Sequence, residues 1–185
     1  TVALDNVTLT LEENKIYGLL GRNGAGKSTL LNIISNRVFA DSGEVLYDGE
    51  VVTENDRLQK NIYLMSEKSF YSDNLNVKQI FGWTKEFYPD FDYDYAMKLS
   101  ELFGLNTKKR VKQLSTGYSS IFKLILALSV NTPFTFLDEP VLGLDANHRE
   151  LFYKLLIETY AENPRTFVLS THLIEEVSKI IEDIV

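Results

Sequence analysis

The sequence contains no cysteine, only two histidines and no long run of apolar residues. The absence of cysteine excludes disulfide bonds and thiolate metal sites, and it is compatible with a reducing cytosol. The longest strongly apolar stretch, Ile121 to Val130, is interrupted by Lys123 and is far shorter than the roughly 20 residues that cross a bilayer. The N-terminal residues show neither the basic region nor the apolar run of a secretory signal. We therefore expect a chain that stays where it is made and does not itself span a membrane.

The sequence also has fewer basic than acidic residues. The 26 acidic residues outnumber the 19 lysines and arginines, which gives a formal net charge of −7. This excess opposes the general attraction to phosphate backbones that nucleic-acid-binding proteins use, so any bound anion must be held by local groups. The basic run at 108–112 (KKRVK) could form a nucleic-acid or localisation patch, but in an acidic chain a solvated charged face is the better interpretation. We expect no nucleic acid among the partners.

The pattern along the chain predicts an α/β fold. The 185 residues, 44% of them apolar, suffice for one domain with a substantial core. Short apolar, β-branched runs predict five buried strands, and helical patterns lie between them. Strands are predicted at 16–20, 44–47, 62–65, 134–137 and 166–169, and helices around 77–81, 95–103, 121–128, 151–160 and 173–184. This alternation predicts a mostly parallel sheet flanked by helices.

Residues 67–113 depart from the alternation, because they hold two helical patterns and no convincing strand. We interpret the region from about 67 to 130 as a helical insertion. Of the 22 aromatic residues in the chain, 10 lie within residues 67–103. That concentration requires either a small core of its own or a binding groove.

Residues 21–28 (GRNGAGKS) match the phosphate-binding loop, with a predicted strand before them and a helix after them. Glycines let the backbone curl around an anion, and the N–H groups at the helix start favour negative charge. Lys27 would reach the β- and γ-phosphates of ATP, and the Ser28 hydroxyl would ligate Mg²⁺. The alternative, a glycine-rich turn that merely starts a helix, is disfavoured by the strand–loop–helix setting. The predicted nucleotide-binding residues are Asn23, Gly24, Ala25, Gly26, Lys27, Ser28 and Thr29.

A second set of candidate residues follows the predicted strand at 134–137, which ends in Asp138 and Glu139. Open α/β sheets bind ligands at the edge to which such a strand delivers its carboxylates. Asp138 would hold Mg²⁺, directly or through water, and Glu139 would orient and deprotonate the attacking water. Without the loop at 21–28, a strand that simply ends in solvated acids would be the better interpretation.

Residues 114–118 (LSTGY) narrow the choice among phosphate-loop proteins. They resemble the signature of the ATP-binding cassette (ABC) family, usually written LSGGQ, and Ser115 lies 23 residues before Asp138. The resemblance implies that Ser115 and the Gly117 backbone bind the γ-phosphate of ATP held by a second subunit. Thr116 and Tyr118 depart from the commonest form. Taken alone, a serine before a helix is more often just an N-cap.

Two further segments carry the same resemblance. Residues 143–146 (GLDA) follow Glu139 as the family's D-loop does, and His172 stands where the family has its switch histidine. This implies that Asp145 contributes to the nucleotide site and that His172 contacts the γ-phosphate and holds the water in line with Glu139. A helix N-cap for Asp145 and an ordinary helix-start residue for His172 are the alternatives. His148 matches no motif and is expected at the surface.

The family's Q-loop maps onto residues 65–67 (MSE), with Glu67 in place of glutamine. A carboxylate oxygen can still meet Mg²⁺ or water, whereas the amide donor is lost and a charge is gained. The resemblance therefore gives Ser28, Asp138 and Glu67 as candidate metal ligands.

All five ordered motifs match, so the resemblance covers essentially the whole chain. It implies one ABC ATPase domain over 1–185, of the phosphate-loop NTPase class with an inserted helical subdomain. Family domains usually begin with a strand bearing an adenine-stacking aromatic residue and continue with strands after the switch histidine; we expect this chain to lack both. Residues 87–92 (FYPDFD), together with the signature, resemble ATPases of Gram-positive ABC-2-type exporters, which handle peptides, antibiotics or amphipathic toxins such as phenol-soluble modulins.

The resemblance also implies partners. Two ATP-binding subunits, identical or different, would sandwich two ATP·Mg²⁺ at the cytoplasmic face of the membrane and drive a membrane-spanning permease. The aromatic-rich insertion would receive a short helix of that permease, with Phe70, Tyr71, Trp83 and Phe87 as candidate anchors. One alternative is a soluble ABC ATPase acting on ribosomes or DNA, which would carry two cassettes or a very long coiled coil. Another is a non-catalytic nucleotide sensor, which Glu139 and His172 argue against.

Overall fold

The structure, a computed structural model, describes residues 2–68, 71–172, 181 and 183–185. The chain forms two compact units. Unit 1 comprises Thr1–Ser66, Thr132–Glu139 and Arg165–Val185, and unit 2 comprises Glu67–Asn131 and Pro140–Pro164. In chain order the elements are β1 (Ile16–Leu20), α1 (Lys27–Ile34), β2 (Leu46–Tyr47), β3 (Glu50–Val51), α2 (Asp56–Gln59), β4 (Ile62–Met65), α3 (Val77–Phe87), α4 (Tyr93–Leu102), a 3₁₀ turn (Val111–Gln113), α5 (Thr116–Ser129), β5 (Phe134–Asp138), α6 (Ala146–Glu162), β6 (Thr166–Thr171) and β7 (Asp183–Ile184).

Unit 1 is built on a five-stranded sheet with the order β4-β5-β6-β1-β7. Every pairing in this sheet is parallel. The predicted strand bounds at 16–20 and 62–65 are confirmed, and β5 and β6 extend past their predicted ends to Asp138 and Thr171. The predicted α/β class with a parallel sheet is therefore confirmed.

The core of unit 1 lies where α1 and α2 meet one face of the sheet. Leu31 of α1 is fully buried and Leu58 of α2 is 2% exposed. They join a cluster of side chains from the strands and the β2–β3 region that also contains Tyr17, Leu19, Val52, Ile62, Leu64, Phe136 and Val168. This packing fixes α1, and with it the loop that precedes α1, relative to β1.

The prediction of a buried strand at 44–47 is wrong. Only Leu46–Tyr47 is a strand, and it forms a separate two-stranded antiparallel sheet with Glu50–Val51. Asp48 and Gly49 connect the two strands with φ of 50° and 80°, the left-handed pair of an Asp-Gly hairpin turn. Leu46 is 52% exposed, so an apolar, β-rich run of this length did not distinguish a surface hairpin from a buried strand.

Unit 2 is helical and has its own core. The ring of Phe81 on α3 lies 6.0 Å from that of Phe91, 6.4 Å from that of Tyr93 and 6.2 Å from that of Phe122 on α5. Capping residues fix the helix starts: Asn76 forms a capping box with Gln79, and the side chains of Asp92, Ser115 and Asp145 accept from the first turns of α4, α5 and α6. Much of the aromatic excess of the insertion therefore fills this core.

The four aromatic residues proposed as groove anchors have different surroundings. Trp83 and Phe87 on α3 are 61% and 65% exposed. Tyr71 packs edge-on against Phe122 at 5.6 Å, so it is largely part of the unit 2 core. Phe70 lies outside the described residues. Leu102, at the end of α4, is also exposed, at 51%.

The predicted helix at 173–184 falls mostly on residues 173–180 and 182, which lie outside the described residues. Its end is wrong, because Asp183–Ile184 forms β7 and pairs in parallel with β1. A short strand therefore follows His172, where none was expected. Within the described part of the chain, no helix is both long enough and apolar enough to cross a membrane.

Candidate active site

One edge of the unit 1 sheet carries most of the predicted site. The loop at 21–26 follows β1, the two acids Asp138 and Glu139 stand at the end of β5, and His172 follows β6. Because β1, β6 and β5 are adjacent and parallel, their carboxyl ends meet at a single edge, which is where open α/β sheets bind ligands.

The loop wraps around the side chain of Lys27, the first residue of α1. Gly24 and Gly26 adopt φ of 82° and 94°, a conformation that glycine reaches without steric penalty. Lys27 Nζ donates to the carbonyl oxygens of Gly21 at 2.7 Å and Arg22 at 3.3 Å. Lys27 is only 9% exposed, whereas residues 22–25 and Ser28 are exposed. The loop thus places the ammonium group of Lys27, exposed backbone N–H groups and the exposed hydroxyl of Ser28 at the N-terminus of one helix.

Asp138 is oriented by a hydroxyl of the neighbouring strand. Ser170 Oγ donates to Asp138 Oδ1 at 2.5 Å, and these two residues are partners in the β5–β6 register. The contact engages one carboxylate oxygen, Oδ1, and restricts the rotation of the group.

Glu139 leaves the strand in an unusual backbone conformation. Its φ is 48°, which costs a non-glycine residue about 1–2 kcal/mol, and strain of this kind concentrates at functional sites. Its N–H donates to Ser170 O at 3.1 Å and Ser170 Oγ at 3.2 Å. The carboxylate lies 3.0 Å from His172 Nδ1 through Oε2 and 3.7 Å from Lys27 Nζ through Oε1. The turn at Glu139 thus places its carboxylate between the imidazole of His172 and the ammonium group of Lys27.

In unit 2 the predicted signature meets the predicted D-loop. Ser115 is the N-cap of α5 and accepts from the Tyr118 N–H at 3.4 Å. A Cβ on Gly117 would lie 3.2 Å from the Gly143 carbonyl oxygen, and Ser120 Oγ donates to Leu142 O at 3.1 Å. Gly117 therefore allows a close approach of the two segments.

Asp145 and His148 form a local pair at the start of α6. The Asp145 carboxylate accepts from the His148 N–H at 2.9 Å and lies 2.8 Å from His148 Nδ1. These hydrogen bonds hold the pKa of Asp145 below its usual value. The prediction that His148 is a surface residue needs correction, since its half-buried ring packs beside those of Phe103 and Tyr118 at 6.0 and 6.3 Å.

Glu67 is exposed at the start of unit 2, and its carbonyl oxygen accepts a hydrogen bond from Lys123 Nζ on α5. Burial lowers the pKa of Lys123, and the negative charge of Glu67 acts in the opposite direction. Glu67 belongs to unit 2, whereas Ser28 and Asp138 belong to unit 1. Its role as a metal ligand stays a prediction.

The donors on the unit 1 edge suit Mg²⁺. Magnesium binds oxygen ligands and takes few of them from protein, the remainder being waters and substrate phosphates. Ser28 offers an exposed hydroxyl and Asp138 a carboxylate of restricted rotation. Within the described residues there is no group of three or more His, Asp or Glu side chains that could hold a metal. Ser28 and Asp138 thus supply part of a coordination shell, which fits a metal whose remaining ligands are waters and substrate phosphates.

The fold and the motifs agree with comparisons to known proteins. The family model described as "ABC transporter" matches residues 4–142. The chain belongs to the ABC transporter family. A solved structure, the dimeric post-hydrolysis state of the ATP-binding cassette MJ0796 bound to ADP and Pi, matches with a TM-score of 0.80 and 25% identity over 94% of this chain and 82% of that one. The fold is therefore that of an ATP-binding cassette, and domains of this family bind ATP.

Relatives of this ABC domain have varied names. YtrB of Bacillus subtilis, an ABC transporter ATP-binding protein, is 33% identical over 96% of this chain and 61% of its own length. The lantibiotic transport ATP-binding protein SrtF of Streptococcus pyogenes is 29% identical over 96% of this chain and 76% of its own. Other relatives are named for petrobactin and taurine import. The chain spans less than two thirds of YtrB, and the names do not agree on a direction of transport.

Two residues that contact candidate site residues were not among the predicted ones. Ser170 and Lys123 belong to no motif, and each acts on a motif residue distant in sequence. Ser170 could have been found from the predicted strands. It lies at the end of one strand, and the parallel register places it beside Asp138 at the end of the neighbouring strand. No sequence signal would have found Lys123, because its contact is to a backbone carbonyl.

The two left-handed glycines of the loop give a matched test. A Cβ on Gly26 would lie 2.6 Å from the Ala3 carbonyl oxygen, whereas a Cβ on Gly24 would meet nothing within 4 Å. Both alanines suffer the left-handed strain of about 1–2 kcal/mol, and only Gly26→Ala adds a backbone clash. We expect Gly26→Ala to lower the melting temperature and weaken ATP binding more than Gly24→Ala does, as measured by thermal denaturation and calorimetry. Equal effects would contradict the loop conformation described above.

Proposed function

We propose that this chain is the ATP-hydrolysing domain of an ABC exporter and that it works in a pair of ATP-binding subunits. The observation that carries the proposal is the cluster of Lys27, Glu139 and His172 at the edge of the sheet, with Nζ–Oε1 and Nδ1–Oε2 distances of 3.7 and 3.0 Å. A cation that can meet phosphate lies beside a carboxylate that can take a proton, and an imidazole orients that carboxylate.

Each residue of the cluster has a definite task in hydrolysis. The loop N–H groups of residues 23–29 and Lys27 Nζ hold the β- and γ-phosphates and offset their charge. Glu139 orients the attacking water and accepts its proton, while the water oxygen bonds to the γ-phosphorus and the bond to the ADP oxygen breaks. His172 keeps the Glu139 carboxylate in place and contacts the γ-phosphate. Bound Mg²⁺, held by Ser28 and Asp138, would offset the charge on the phosphate oxygens.

The paired arrangement follows from the signature. Ser115 and Gly117 lie at the N-terminus of the 14-residue helix α5, a favourable place for a γ-phosphate. We assign that phosphate to ATP held by the phosphate loop of a second subunit, and Asp145 to the same composite site.

Coupling to transport requires a membrane-spanning permease, which would hold the domain at the cytoplasmic face of the membrane. The exposed pair Trp83 and Phe87 on α3 is the surface we assign to a short permease helix, because exposed aromatic anchors are typical of such contacts. Export is supported by the resemblance of the segment at 87–92 to ABC-2-type exporter ATPases and by the lantibiotic transport named for SrtF.

Replacing Glu139 by glutamine should separate binding from turnover. The amide keeps the size of the side chain but loses the basic oxygen, so we expect ATP binding to persist while hydrolysis falls by about 100-fold or more. Stable ATP-bound dimers should accumulate and can be detected by size-exclusion chromatography. Hydrolysis by Glu139→Gln at a near wild-type rate would contradict the assignment of the base.

Mixing two inactive variants should reveal the composite site. Lys27→Ala removes the cation at the phosphates, and Ser115→Arg blocks the signature that acts across the interface. A heterodimer of the two retains one intact site, so we expect ATPase activity to return in part, whereas each variant alone stays inactive. No recovery in heterodimers verified by co-purification through two different tags would mean that each subunit works alone.

The exposed aromatics should affect coupling and not stability. We expect Trp83→Ala and Phe87→Ala to leave the melting temperature and ATP affinity near normal, and to abolish the stimulation of ATPase activity by the permease. Phe81→Ala is the buried control and should cost about 3–5 kcal/mol of unfolding free energy. Tyr71→Ala should also destabilise the fold, since Tyr71 packs on Phe122. Retained stimulation in both exposed variants would mean that the permease binds elsewhere.

A further inference from the structure

Ser170 is a fully buried residue of β6 that contacts both acids at the end of β5. It is 0% exposed and is the register partner of Asp138. Its Oγ lies 2.5 Å from Asp138 Oδ1 and 3.2 Å from the Glu139 backbone nitrogen. Its carbonyl oxygen accepts the same Glu139 N–H at 3.1 Å. One serine thus holds the side chain of one acid and the backbone of the next.

The chemistry of the hydroxyl fixes the direction of each hydrogen bond. A serine hydroxyl has one proton to donate and lone pairs to accept, whereas an ionised carboxylate only accepts and a backbone N–H only donates. The hydroxyl proton must therefore point to Asp138, and the Glu139 N–H must point to Ser170. Bonds from a hydroxyl to a carboxylate are short and strong, in agreement with the 2.5 Å contact.

A neutral partner is suited to this position. A lysine or arginine would orient Asp138 equally well but would place a positive charge where the carboxylate has to meet a cation. The hydroxyl fixes the carboxylate through Oδ1 without adding charge, and Oδ2 is the second oxygen of the group. The metal-binding capacity of Asp138 is thereby preserved.

The second contact bears on Glu139. Its φ of 48° turns the chain away from the strand, and the amide at that turn is held by both Ser170 acceptors. The same turn directs the Glu139 carboxylate to His172 Nδ1 at 3.0 Å. Loss of the hydroxyl would remove one of the two acceptors that define this conformation.

We propose that Ser170 is a positioning residue of the ATPase site, which orients Asp138 for Mg²⁺ and supports the backbone of Glu139. The inference rests on the proposed function, in which Asp138 ligates the metal and Glu139 is the base. Ser170 is fully buried and acts through these two acids. A serine that only satisfies buried hydrogen bonds in the sheet would affect folding but would not change the metal requirement.

Threonine and valine at position 170 form the matched pair, because they have nearly the same shape and valine has a methyl group where threonine has the hydroxyl. Both are introduced into the Glu139→Gln protein, so that ATP is bound without turnover. The Mg²⁺ concentration for half-maximal ATP binding is measured by calorimetry, and ATP binding in EDTA serves as the metal-free reference. Loss of a residue that orients a metal ligand typically weakens metal affinity by about 10–100-fold. We expect a rise of that size for Ser170→Val, a Ser170→Thr value within about threefold of the parent, and unchanged binding in EDTA.

Two controls make each outcome decisive. Ser170→Ala, which lacks both hydroxyl and added methyl, replaces valine if the larger side chain prevents folding, and melting temperatures establish that the variants compared are folded. Asp138→Asn reports on the proposed function itself. If Asp138→Asn shifts the Mg²⁺ requirement but the valine and alanine variants do not, Ser170 has no positioning role and the inference fails alone. If Asp138→Asn has no effect either, the metal assignment in the proposed function fails together with the inference.

Discussion

Parallel pairing of β1, β6 and β5 is the constraint on which the rest of the site depends. Glu139 and His172 come directly after the carboxyl ends of β5 and β6, and Lys27 follows β1 through the loop at 21–26. Asp138 pairs with Ser170, and Leu20 pairs with Thr171. The register of these three strands therefore brings the side chains of the cluster to one edge of the sheet.

The strands, the loop and the cluster could be predicted from sequence because each depends on a short local pattern. The predicted bounds of β1 and β4 agree with the structure to the residue. The glycines of the loop at 21–26 indicate a left-handed backbone, which Gly24 and Gly26 adopt. The hairpin around Leu46–Tyr47 did have a sequence signal, the Asp48-Gly49 turn, which the apolar run before it concealed. The strand at Asp183–Ile184 could not be predicted, since a two-residue strand depends on its partner and carries little pattern of its own. The left-handed Glu139 has no local sequence signal, because the hydrogen bonds of its N–H are to Ser170 on another strand.

Net charge, like any property of the whole composition, does not predict the charge at the site. The net charge of −7 describes the surface as a whole and says nothing of the cation at the loop. Lys27 is held by two backbone carbonyls of the loop, so a positive group stands at the loop although the chain as a whole is acidic. Aromatic content behaves likewise: the excess in the insertion contains the buried Phe81 and Phe122 as well as the exposed Trp83, and composition cannot separate them.

The strand that carries the phosphate loop pairs with two strands that lie far from it in the sequence. β1 begins at Ile16, which pairs with Phe167 of β6, and its other edge pairs with β7. During synthesis β1 leaves the ribosome well before β6 and β7, the strands that pair with it. Contacts between residues so far apart in sequence form slowly, because the intervening chain must first be confined. Until β6 has been made, β1 is an apolar strand without its sheet partners, and chaperone binding or mispairing can compete with correct folding in that interval.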